Sequence, residues 1–208
     1  MKKKLKVFDL FSGTGSSTQA FKDAGHTVLH FDLDVTFCAI EHIDIAMTNA
    51  SYMREHYGQP DFIWASPPCN CFSVASIGRH WYRNYTPKTK NAENSVILVE
   101  KTIKLIKDLN PSHGWVIENP RGMLRKLPIM QGLTRHTVTY CQYGDSRMKP
   151  TDLWCDLPNW KPRPMCSYGD SCHESAPRGS HTGTQGMKNA IHKGRIPYEL
   201  GKEIMEAL

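Results

Sequence analysis

Lys6-Val7-Phe8-Asp9-Leu10-Phe11-Ser12-Gly13-Thr14-Gly15-Ser16 joins a short apolar run to a glycine-rich turn. The run predicts a buried strand, and the pattern after the turn predicts an amphipathic helix over about residues 16–24, closed by Gly25. Glycines in such a turn let the backbone approach a ligand, and free N–H groups at a helix start attract a carboxylate or phosphate. The stretch therefore predicts the start of an α/β domain with a ligand at its first loop, although a tight turn without a ligand is the alternative.

The same alternation continues through the first half of the chain. Residues 27–31, 61–65 and 115–117 predict further strands. A helix with its cap within residues 91–94 precedes the last of them, with apolar residues three and four positions apart: Val96, Val99, Ile103 and Ile106. Strands alternating with helices are typical of βαβ units, so we expect an α/β fold with a mostly parallel, twisted sheet flanked by helices.

Composition restricts the class of protein. The chain has 208 residues, and no apolar run approaches the roughly 20 residues of a membrane helix. Its first residues lack the apolar stretch of a signal peptide, and its seven cysteines, an odd number, argue against a secreted disulfide framework. We therefore expect a cytoplasmic protein with no membrane segment. The net charge of +6 suits a polyanionic partner such as a nucleic acid.

The chain divides into three parts by composition. Residues 1–155 carry the α/β pattern. Residues 156–193 are rich in Gly, Ser, Pro and His, and from Asp156 to Arg195 six Lys/Arg stand against three acids. This composition predicts a basic, loop-rich appendage. Residues 194–208 predict a terminal helix that packs back on the first domain, because Pro197 suits a first helical turn.

Two acids are placed to bind a nucleoside. Asp32 lies nineteen residues after Gly13 at the end of the second predicted strand, where a carboxylate can hold both hydroxyls of a ribose. Asp44 lies one unit later and could reach an adenine amino group. The third glycine of the dinucleotide fingerprint is absent, which argues against NAD.

Cys69 is the candidate nucleophile. It follows the strand of residues 61–65 in Ser66-Pro67-Pro68-Cys69, and ligands bind at the carboxyl ends of parallel strands. Cys71 is the rival, because in an extended segment it would share a face with Cys69, but the diproline precedes only Cys69. The thiolate needs basic neighbours or helix dipoles, since a free thiol is mostly protonated at neutral pH. A buried structural cysteine is the alternative.

Glu118 is the candidate proton partner. Trp115-Val116-Ile117-Glu118-Asn119-Pro120 places a carboxylate at the end of another strand. An acid with a pKa raised by burial can bind a pyrimidine ring nitrogen and amino group, and so neutralise charge that develops on the ring. An Asn-Pro turn with a solvated Glu is the alternative.

Taken in this order, the motifs resemble those of the cytosine-5 DNA methyltransferase family over about residues 5–155. The matching segments are Asp9-Leu10-Phe11-Ser12-Gly13-x-Gly15 for the cofactor loop, Pro68-Cys69-Asn70-x-Phe72-Ser73 for its Pro-Cys-Gln loop, Glu118-Asn119 for its Glu-Asn-Val motif, Tyr143-Gly144 with Arg147 and Lys149 for its basic strand, and Gly194-Arg195-Ile196-Pro197 for the start of its last helix. The chain departs from the family pattern at Asn70, Pro120 and Thr151. The chain is also shorter than typical members of the family. In these features it most resembles the small phage-encoded members.

The resemblance implies a Rossmann-like class I methyltransferase fold with a reduced target-recognition region in residues 156–193. It implies S-adenosylmethionine as cofactor of a catalytic domain in residues 1–155, and a monomer that flips a cytosine out of double-stranded DNA. The catalytic residues that it implies are Cys69, Glu118, Asn119, Arg147 and Lys149. The implied cofactor-binding residues are Asp9, Phe11, Ser12, Gly13, Thr14, Gly15, Asp32, Leu33, Asp44, Ile45 and Pro67. A tRNA substrate is one alternative and an inactive nucleic-acid-binding module is another, although Cys69 and Glu118 together argue against the second.

Two further segments invite a functional interpretation. Residues 73–94 interleave basic and aromatic residues around Trp81, which predicts a loop that closes over the substrate; a surface loop with a packed Trp is the alternative. Cys166, Cys172 and His173, with Cys155 upstream, could bind zinc in the appendage. Because the spacing is not Cys-x2-Cys and adjacent Cys-His ligands are awkward, the sequence favours free thiols without a metal, and a histidine that faces nucleic acid.

Overall fold

A computed structural model describes residues 3–37, 41–174 and 190–208, which contain one sheet of seven strands. The strands are β1 (Lys6–Leu10), β2 (Thr27–Asp32), β3 (Glu41–His42), β4 (Phe62–Ala65), β5 (Trp115–Pro120), β6 (Arg135–Thr139) and β7 (Pro150–Cys155). Their order across the sheet is β3-β2-β1-β4-β5-β7-β6. The first five pair in parallel, whereas β7 runs antiparallel to both of its neighbours. The predicted α/β fold with a mostly parallel sheet is confirmed.

Helices cover both faces of the sheet. They are α1 (Gln19–Asp23), α2 (Ala50–Tyr57), α3 (Ile77–His80), α4 (Lys90–Leu109), α5 (Ala190–Gly194) and α6 (Tyr198–Glu206). Buried residues of α1 and α6 pack in one core, and those of α2 and α4 pack in the other. In the parts of the chain that the structure describes, none of the helices is long and apolar enough to span a bilayer.

The central strands are buried on both faces, which explains their continuous apolar runs. In β4, Phe62 and Trp64 enter the core under α1 and α6, while Ile63 and Ala65 enter the core under α2 and α4. Successive side chains of a strand point to opposite faces, so each strand contributes to both cores. Because β1, β4 and β5 run parallel, the loops that follow them lie at one edge of the sheet.

Two helix boundaries differ from the sequence prediction. α1 begins at Gln19 rather than near Ser16, because the hydroxyls of Ser17 and Thr18 donate hydrogen bonds to the buried Asp9 Oδ2 at 2.8 and 2.7 Å. Hydroxyls that bond elsewhere compete with regular helix formation. α4 begins at Lys90, since Thr89 supplies the cap through its Oγ1, which accepts from the N–H of Ala92 at 3.3 Å.

β5 is three residues longer than the sequence predicts. It pairs with β4 only as far as Ile117, but β7 continues to pair with it up to Pro120. Glu118 and Asn119 therefore lie beyond the last parallel pair, and their backbone is held in the sheet by antiparallel pairing with β7. That places both side chains at the edge of the sheet where α/β proteins bind ligands.

Residues 156–174 contain neither a helix nor a strand but are partly packed on the domain. Leu157 and Trp160 are buried in the core that α6 covers, and the indole N–H of Trp160 donates to Glu203 Oε1 at 3.1 Å. Residues 175–189 of the predicted appendage lie outside the described residues. The division of the chain at residues 155 and 193 remains a prediction.

Candidate active site

The glycine-rich loop after β1 has an unusual backbone. Phe11 adopts a positive φ of 59°, a conformation that residues with a side chain rarely adopt and that persists only where the surroundings hold it. Gly15 has φ 69°, and a Cβ added there would lie 2.8 Å from Cε1 of His30. Gly15 is thus required both by its conformation and by the ring packed against it.

Asp32 is brought directly to this loop. Its Oδ2 accepts from the N–H of Gly13 at 2.8 Å, and its Oδ1 accepts from the N–H of Asp34 at 2.9 Å. Leu33, the next predicted cofactor residue, is 64% exposed. The carboxylate and an apolar side chain are therefore presented together at the end of β2.

Asp9 lies behind the loop rather than on its open side. It is fully buried, and besides the two hydroxyls its Oδ2 lies 3.3 Å from Nδ1 of His30. Because the carboxylate holds Ser17 and Thr18 at the start of α1, its expected part in cofactor binding becomes that of a positioning residue.

Asp44 and Ile45, the residues predicted to bind adenine, differ in burial. Asp44 lines a depression together with His42, Met47 and Tyr52, and its Oδ1 accepts from the N–H of Ala46 at 2.8 Å. Ile45 is buried in the core, so its side chain supports this depression from below. A separate depression lies beside the glycine loop and is lined by Gly13, Thr14, Gly15, His30 and Thr36.

The loop carries an unsatisfied polar group that a ligand could use. Ser12 is buried, its N–H donates to Phe31 O at 3.1 Å, and its hydroxyl has no hydrogen-bond partner among the described residues. A buried polar group without a partner costs about 1–3 kcal/mol, which a polar ligand would remove. Together with the Asp32 carboxylate, this hydroxyl fits a ligand with amino-acid and ribose groups such as S-adenosylmethionine.

Cys69 is the accessible thiol of the two candidates. The carbonyl of Cys69 accepts from the N–H groups of Phe72 and Ser73 at 2.9 and 3.0 Å, so the chain turns immediately after it. Cys69 remains half-buried, whereas Cys71 is 5% exposed and packs in the core. The expectation that an extended segment would place both sulfurs on one face is therefore wrong.

The glutamate and cysteine motifs are joined by a direct hydrogen bond. Asn119 is fully buried and donates from Nδ2 to the carbonyl of Pro67 at 2.8 Å. This bond fixes the end of β5 against the loop that carries Cys69. The other amide atom, Oδ1 of Asn119, has no partner among the described residues.

Glu118 is held beneath this contact. It is 6% exposed, and Tyr140 donates its hydroxyl proton to Oε1 of Glu118 at 3.0 Å. The nearby hydroxyl of Ser66 also lowers the pKa of this carboxyl group. Sequence analysis missed Tyr140 and Ser66; the position of Ser66 directly after β4 was a usable signal, whereas nothing in the spacing marks Tyr140.

Three charged or ionisable groups act on one another here. Burial raises the pKa of Cys69, the Glu118 carboxylate raises it further, and the Lys149 ammonium lowers it. Burial also raises the pKa of Glu118, against the opposing effects of Lys149 and the Tyr140 hydrogen bond. Burial lowers the pKa of Lys149, which the Glu118 carboxylate partly offsets. Lys149 is thus a cation that faces both catalytic candidates.

The basic segment is not a strand, contrary to the resemblance. Arg147 and Lys149 precede β7, which begins at Pro150, and both are buried. Arg147 forms an ion pair with Asp145 and donates from Nη1 to the carbonyl of His192 at 2.9 Å. Its side chain is thus committed to protein contacts.

Lys149 adopts a different set of contacts. Its Nζ donates to the carbonyl of Lys193 at 2.8 Å and lies 4.5 Å from the centre of the Tyr140 ring. Thr151, where the family's second arginine was expected, is fully buried in β7 and donates from Oγ1 to the carbonyl of Lys149 at 3.1 Å. Threonine here supports the lysine backbone instead of adding a cation.

The predicted substrate loop is partly anchored. Trp81 is 4% exposed and its indole N–H donates to the carbonyl of Cys71 at 2.7 Å, so it is not available for stacking on a base. Arg79, Tyr82, Arg83 and Tyr85 are exposed around it. The packed Trp81 anchors the segment to the core, while the arginine and tyrosine side chains around it remain at the surface.

The cysteines of the appendage assemble with a different partner from the one expected. Cys155 is buried in β7 and packs in the core that α6 covers, so it is wrong as a zinc candidate. Cys166, Cys172 and His173 instead converge on Cys141, with their ligand atoms within 4.8 Å of one another.

Comparisons with known proteins agree with this site. The family described as "C-5 cytosine-specific DNA methylase" matches residues 5–128. The "Probable DNA (cytosine-5)-methyltransferase" of Frog virus 3 (isolate Goorha) is 29% identical over 173 residues, which cover 81% of this chain and 78% of the relative.

Two solved structures are similar to this chain to different degrees. The Entamoeba histolytica methyltransferase EhMeth has a TM-score of 0.57 at 12% identity, over 78% of this chain and 56% of that one. Spodoptera frugiperda DNMT2 has a TM-score of 0.47 at 14% identity, over 80% of this chain and 57% of that one. The chain thus spans a little over half the length of these two structures, and the first of them supports the Rossmann-like methyltransferase fold. From its family match and its viral relative, the chain belongs to the C-5 cytosine-specific DNA methylase family.

Proposed function

We propose that this protein methylates carbon 5 of cytosine in DNA, with S-adenosylmethionine as the methyl donor. The observation that carries the proposal is the half-buried Cys69 thiol next to the buried Glu118 carboxyl, with Asn119 bonded to Pro67 between them. A nucleophile and a proton donor on adjacent strand ends are what addition to a pyrimidine ring requires.

The chemistry begins when a cytosine leaves the DNA stack, because carbon 6 is inaccessible within the duplex. The Cys69 sulfur forms a bond to carbon 6. The electrons of the 5,6 double bond shift through carbons 5 and 4 towards ring nitrogen 3. Glu118, whose pKa is raised by burial, holds a proton at ring nitrogen 3 and neutralises the developing charge. Carbon 5, which gains electron density from this addition, would then form a bond to the methyl group that the bound cofactor supplies. Loss of the carbon 5 proton restores the 5,6 double bond and expels the Cys69 thiolate.

The cofactor supplies an electrophilic methyl group when it is bound. The residues that would hold it are Ser12 with residues 13–15, Asp32 and Leu33 at the end of β2, and Asp44 in the neighbouring depression. Phe11 and Pro67 lie where the loops after β1 and β4 meet the ligand edge. Ile45 and Asp9 act from the core side by fixing the loops that present these groups.

Lys149 and Tyr140 adjust the reactive pair. The Lys149 ammonium favours the Cys69 thiolate that attacks carbon 6. Tyr140 orients the Glu118 carboxyl through the 3.0 Å bond to Oε1. Arg147 acts as a positioning residue, because its guanidinium bonds Asp145 and the carbonyl of His192.

Further properties follow from the same proposal. The substrate is double-stranded DNA with the target base flipped, bound by a monomer in the cytoplasm of the cell that contains it. Residues 156–193 supply target recognition, and the exposed Arg79 and Arg83 contact phosphates. The viral relative supports a small enzyme of the virus-encoded type.

The test is methyl transfer by the purified chain from labelled S-adenosylmethionine to unmethylated DNA, with 5-methyldeoxycytidine measured by mass spectrometry. The wild type is expected to form this product, and to become covalently trapped on DNA that contains 5-fluorocytosine. Cys69→Ser is expected to abolish both, whereas Cys71→Ala is expected to keep trapping, because that sulfur lies in the core.

Two outcomes would overturn the proposal, and a third would overturn the choice of nucleophile. Label incorporated into tRNA but not into DNA would assign the chemistry to RNA. Cofactor binding without product on either nucleic acid would assign a binding role. Trapping that survives in Cys69→Ser and is lost in Cys71→Ala would move the nucleophile to the buried sulfur.

A further inference from the structure

Four metal-binding side chains meet outside the catalytic site. Cys141 lies in the 3₁₀ helix Tyr140–Tyr143, while Cys166, Cys172 and His173 belong to the segment after β7. Cys141 and Cys166 are buried, and they form a small apolar cluster with Met148 alone. The methyl-transfer chemistry uses none of these residues.

Three of the distances between ligand atoms are those of a tetrahedral site. A zinc ion with bonds of ordinary length sets its sulfurs about 3.8 Å apart and a sulfur and a nitrogen about 3.6 Å apart. The Cys172 and Cys141 sulfurs are 3.6 Å apart, and Nδ1 of His173 lies 3.7 Å from Cys166 Sγ and 3.6 Å from Cys172 Sγ. Three edges of the tetrahedron are therefore present.

The fourth measured edge is shorter. The sulfurs of Cys141 and Cys166 are 3.1 Å apart, so we expect them to separate by about 0.7 Å around an ion. This distance is far longer than the roughly 2.05 Å of a disulfide bond. The two sulfurs are thus close enough to share an ion without being bonded to each other.

We propose that Cys141, Cys166, Cys172 and His173 bind one structural zinc ion as three thiolates and one imidazole. Four protein ligands leave no open position, which is the property of structural rather than catalytic zinc sites. Three sulfur ligands and one nitrogen select zinc over magnesium or calcium, which prefer oxygen.

The local backbone explains how ligands with unfavourable spacing can converge. The N–H of Ser167 donates to Asp170 Oδ2 at 2.7 Å, and the N–H of Asp170 donates to the carbonyl of Ser167 at 3.2 Å. Gly169 has φ 92°, which closes this turn. The turn reverses the chain so that Cys172 and His173 face Cys166. The remaining ligand, Cys141, lies twenty-five positions upstream of Cys166.

Outer contacts support the ligands in the way metal sites require. Gln142 donates from Nε2 to the sulfur of Cys172 at 3.4 Å, which stabilises a thiolate. The N–H of Cys166 donates to Oγ1 of Thr139 at 3.0 Å. Such bonds orient the ligands and tune their basicity.

The ion would link two parts of the proposed enzyme. Cys141 directly follows Tyr140, whose hydroxyl bonds Glu118, and the N–H of Glu174 donates to the carbonyl of Ser146 next to Arg147. A segment with almost no apolar core of its own would thereby be fixed to the wall of the active site.

The test is the metal content of the full chain, expressed with zinc in the medium and purified with a phosphine reductant and no chelator. The expected result is about one zinc per chain by inductively coupled plasma mass spectrometry. Replacement by Co²⁺ is expected to give the visible bands of a tetrahedral ion and the ultraviolet bands of sulfur-to-cobalt charge transfer.

Variants separate this site from other thiols. His173→Ala and Cys172→Ser are expected to weaken zinc binding at least about 100-fold, since loss of an outer-shell partner alone costs about 10–100-fold. His173→Cys keeps four ligands and is expected to retain the metal, which guards against a variant that merely unfolds. Cys69→Ser is the matched control: it removes the proposed nucleophile and is expected to retain one zinc.

Three results would overturn the proposal: wild-type protein without zinc, zinc that stays bound in both His173→Ala and Cys172→Ser, or a Cys141–Cys166 disulfide found by mass mapping of alkylated protein. None of these depends on methyl transfer, so the zinc site and the proposed function can fail separately.

Discussion

At the scale of single residues, the protonation of Cys69 is set by two neighbours of opposite charge. The Glu118 carboxylate raises the pKa of the thiol and the Lys149 ammonium lowers it, on top of the increase that burial causes. A thiol in this setting is protonated at neutral pH in the free enzyme. When Glu118 takes a proton to meet the base, its repulsion disappears and the thiolate becomes easier to form.

This arrangement predicts opposite effects of two isosteric changes. Because thiolate is the reactive form, alkylation below the pKa rises tenfold per pH unit, and a lowered pKa speeds it at fixed pH. Glu118→Gln is expected to make alkylation of Cys69 by iodoacetamide at pH 8 about tenfold faster, and Lys149→Met about tenfold slower. Peptide mass spectrometry across pH 7–10 measures both.

A matched control is Glu199→Gln, a half-buried glutamate in the first turn of α6, which should leave the alkylation profile unchanged. If Glu118→Gln slowed alkylation, or if both active-site changes had the same sign, the charge coupling between these groups would be refuted.

At the scale of elements, α6 packs unusually closely against the start of α1. A Cβ added to Gly201 would lie 2.5 Å from the carbonyl oxygen of Ser17, and the N–H of Ile196 donates to Oγ of Ser16 at 3.0 Å. The last helix therefore contacts the end of the glycine-rich loop. Glycine is needed at position 201 because the two segments pack closely there, and not because of its backbone conformation.

Gly78 and Gly201 both lie in helices and neither has a positive φ. An added Cβ at Gly78 of α3 has no atom within 4 Å, so Gly78→Ala is expected to stabilise the protein by up to about 1 kcal/mol. Gly201→Ala is expected to destabilise it by about 1–3 kcal/mol, because the carbonyl cannot move aside cheaply. Urea unfolding of both variants measures the difference, and equal stabilities would exclude the close contact.

The strands that sequence analysis predicted and β7, which it missed, differ in the types of residue that they contain. β1, β2, β4 and the start of β5 are apolar runs, and their pattern was sufficient. β7 was missed because it begins with Pro150 and contains Thr151 and Asp152, which are typical of a turn. Asp152 is tolerated there because Arg125 donates to its Oδ2 at 2.8 Å, a partner that no local pattern indicates.

At the scale of the whole molecule, the site is assembled from loops that are far apart in the chain. The order of motifs was enough to place Cys69, Glu118 and Asp32 at one edge of the sheet. It could not place Tyr140 under Glu118 or select Cys141 over Cys155, since both depend on β6 and β7 being paired outside β5. Long-range pairing decides what local spacing cannot.

Exposed cations lie at both edges of the sheet, but at different distances from the proposed active site. Arg79 and Arg83 are exposed on the segment after the Cys69 loop, at the ligand edge of the sheet. Lys104 and Lys107 are exposed in the last half of α4, which ends at Leu109 and leads to the opposite edge, where β5 begins. Only the first pair is positioned to meet DNA phosphates beside the active site.

Salt dependence of DNA binding tests this asymmetry. Each phosphate contact contributes about 0.9 to the slope of log K against log salt. Replacing Arg79 and Arg83 with Ala is expected to lower the slope by about 1.8, while the same change at Lys104 and Lys107 leaves it unaltered. Fluorescence anisotropy with a labelled duplex at 50–200 mM NaCl measures both double variants. Equal slopes for the two would mean that DNA approaches this protein by another face.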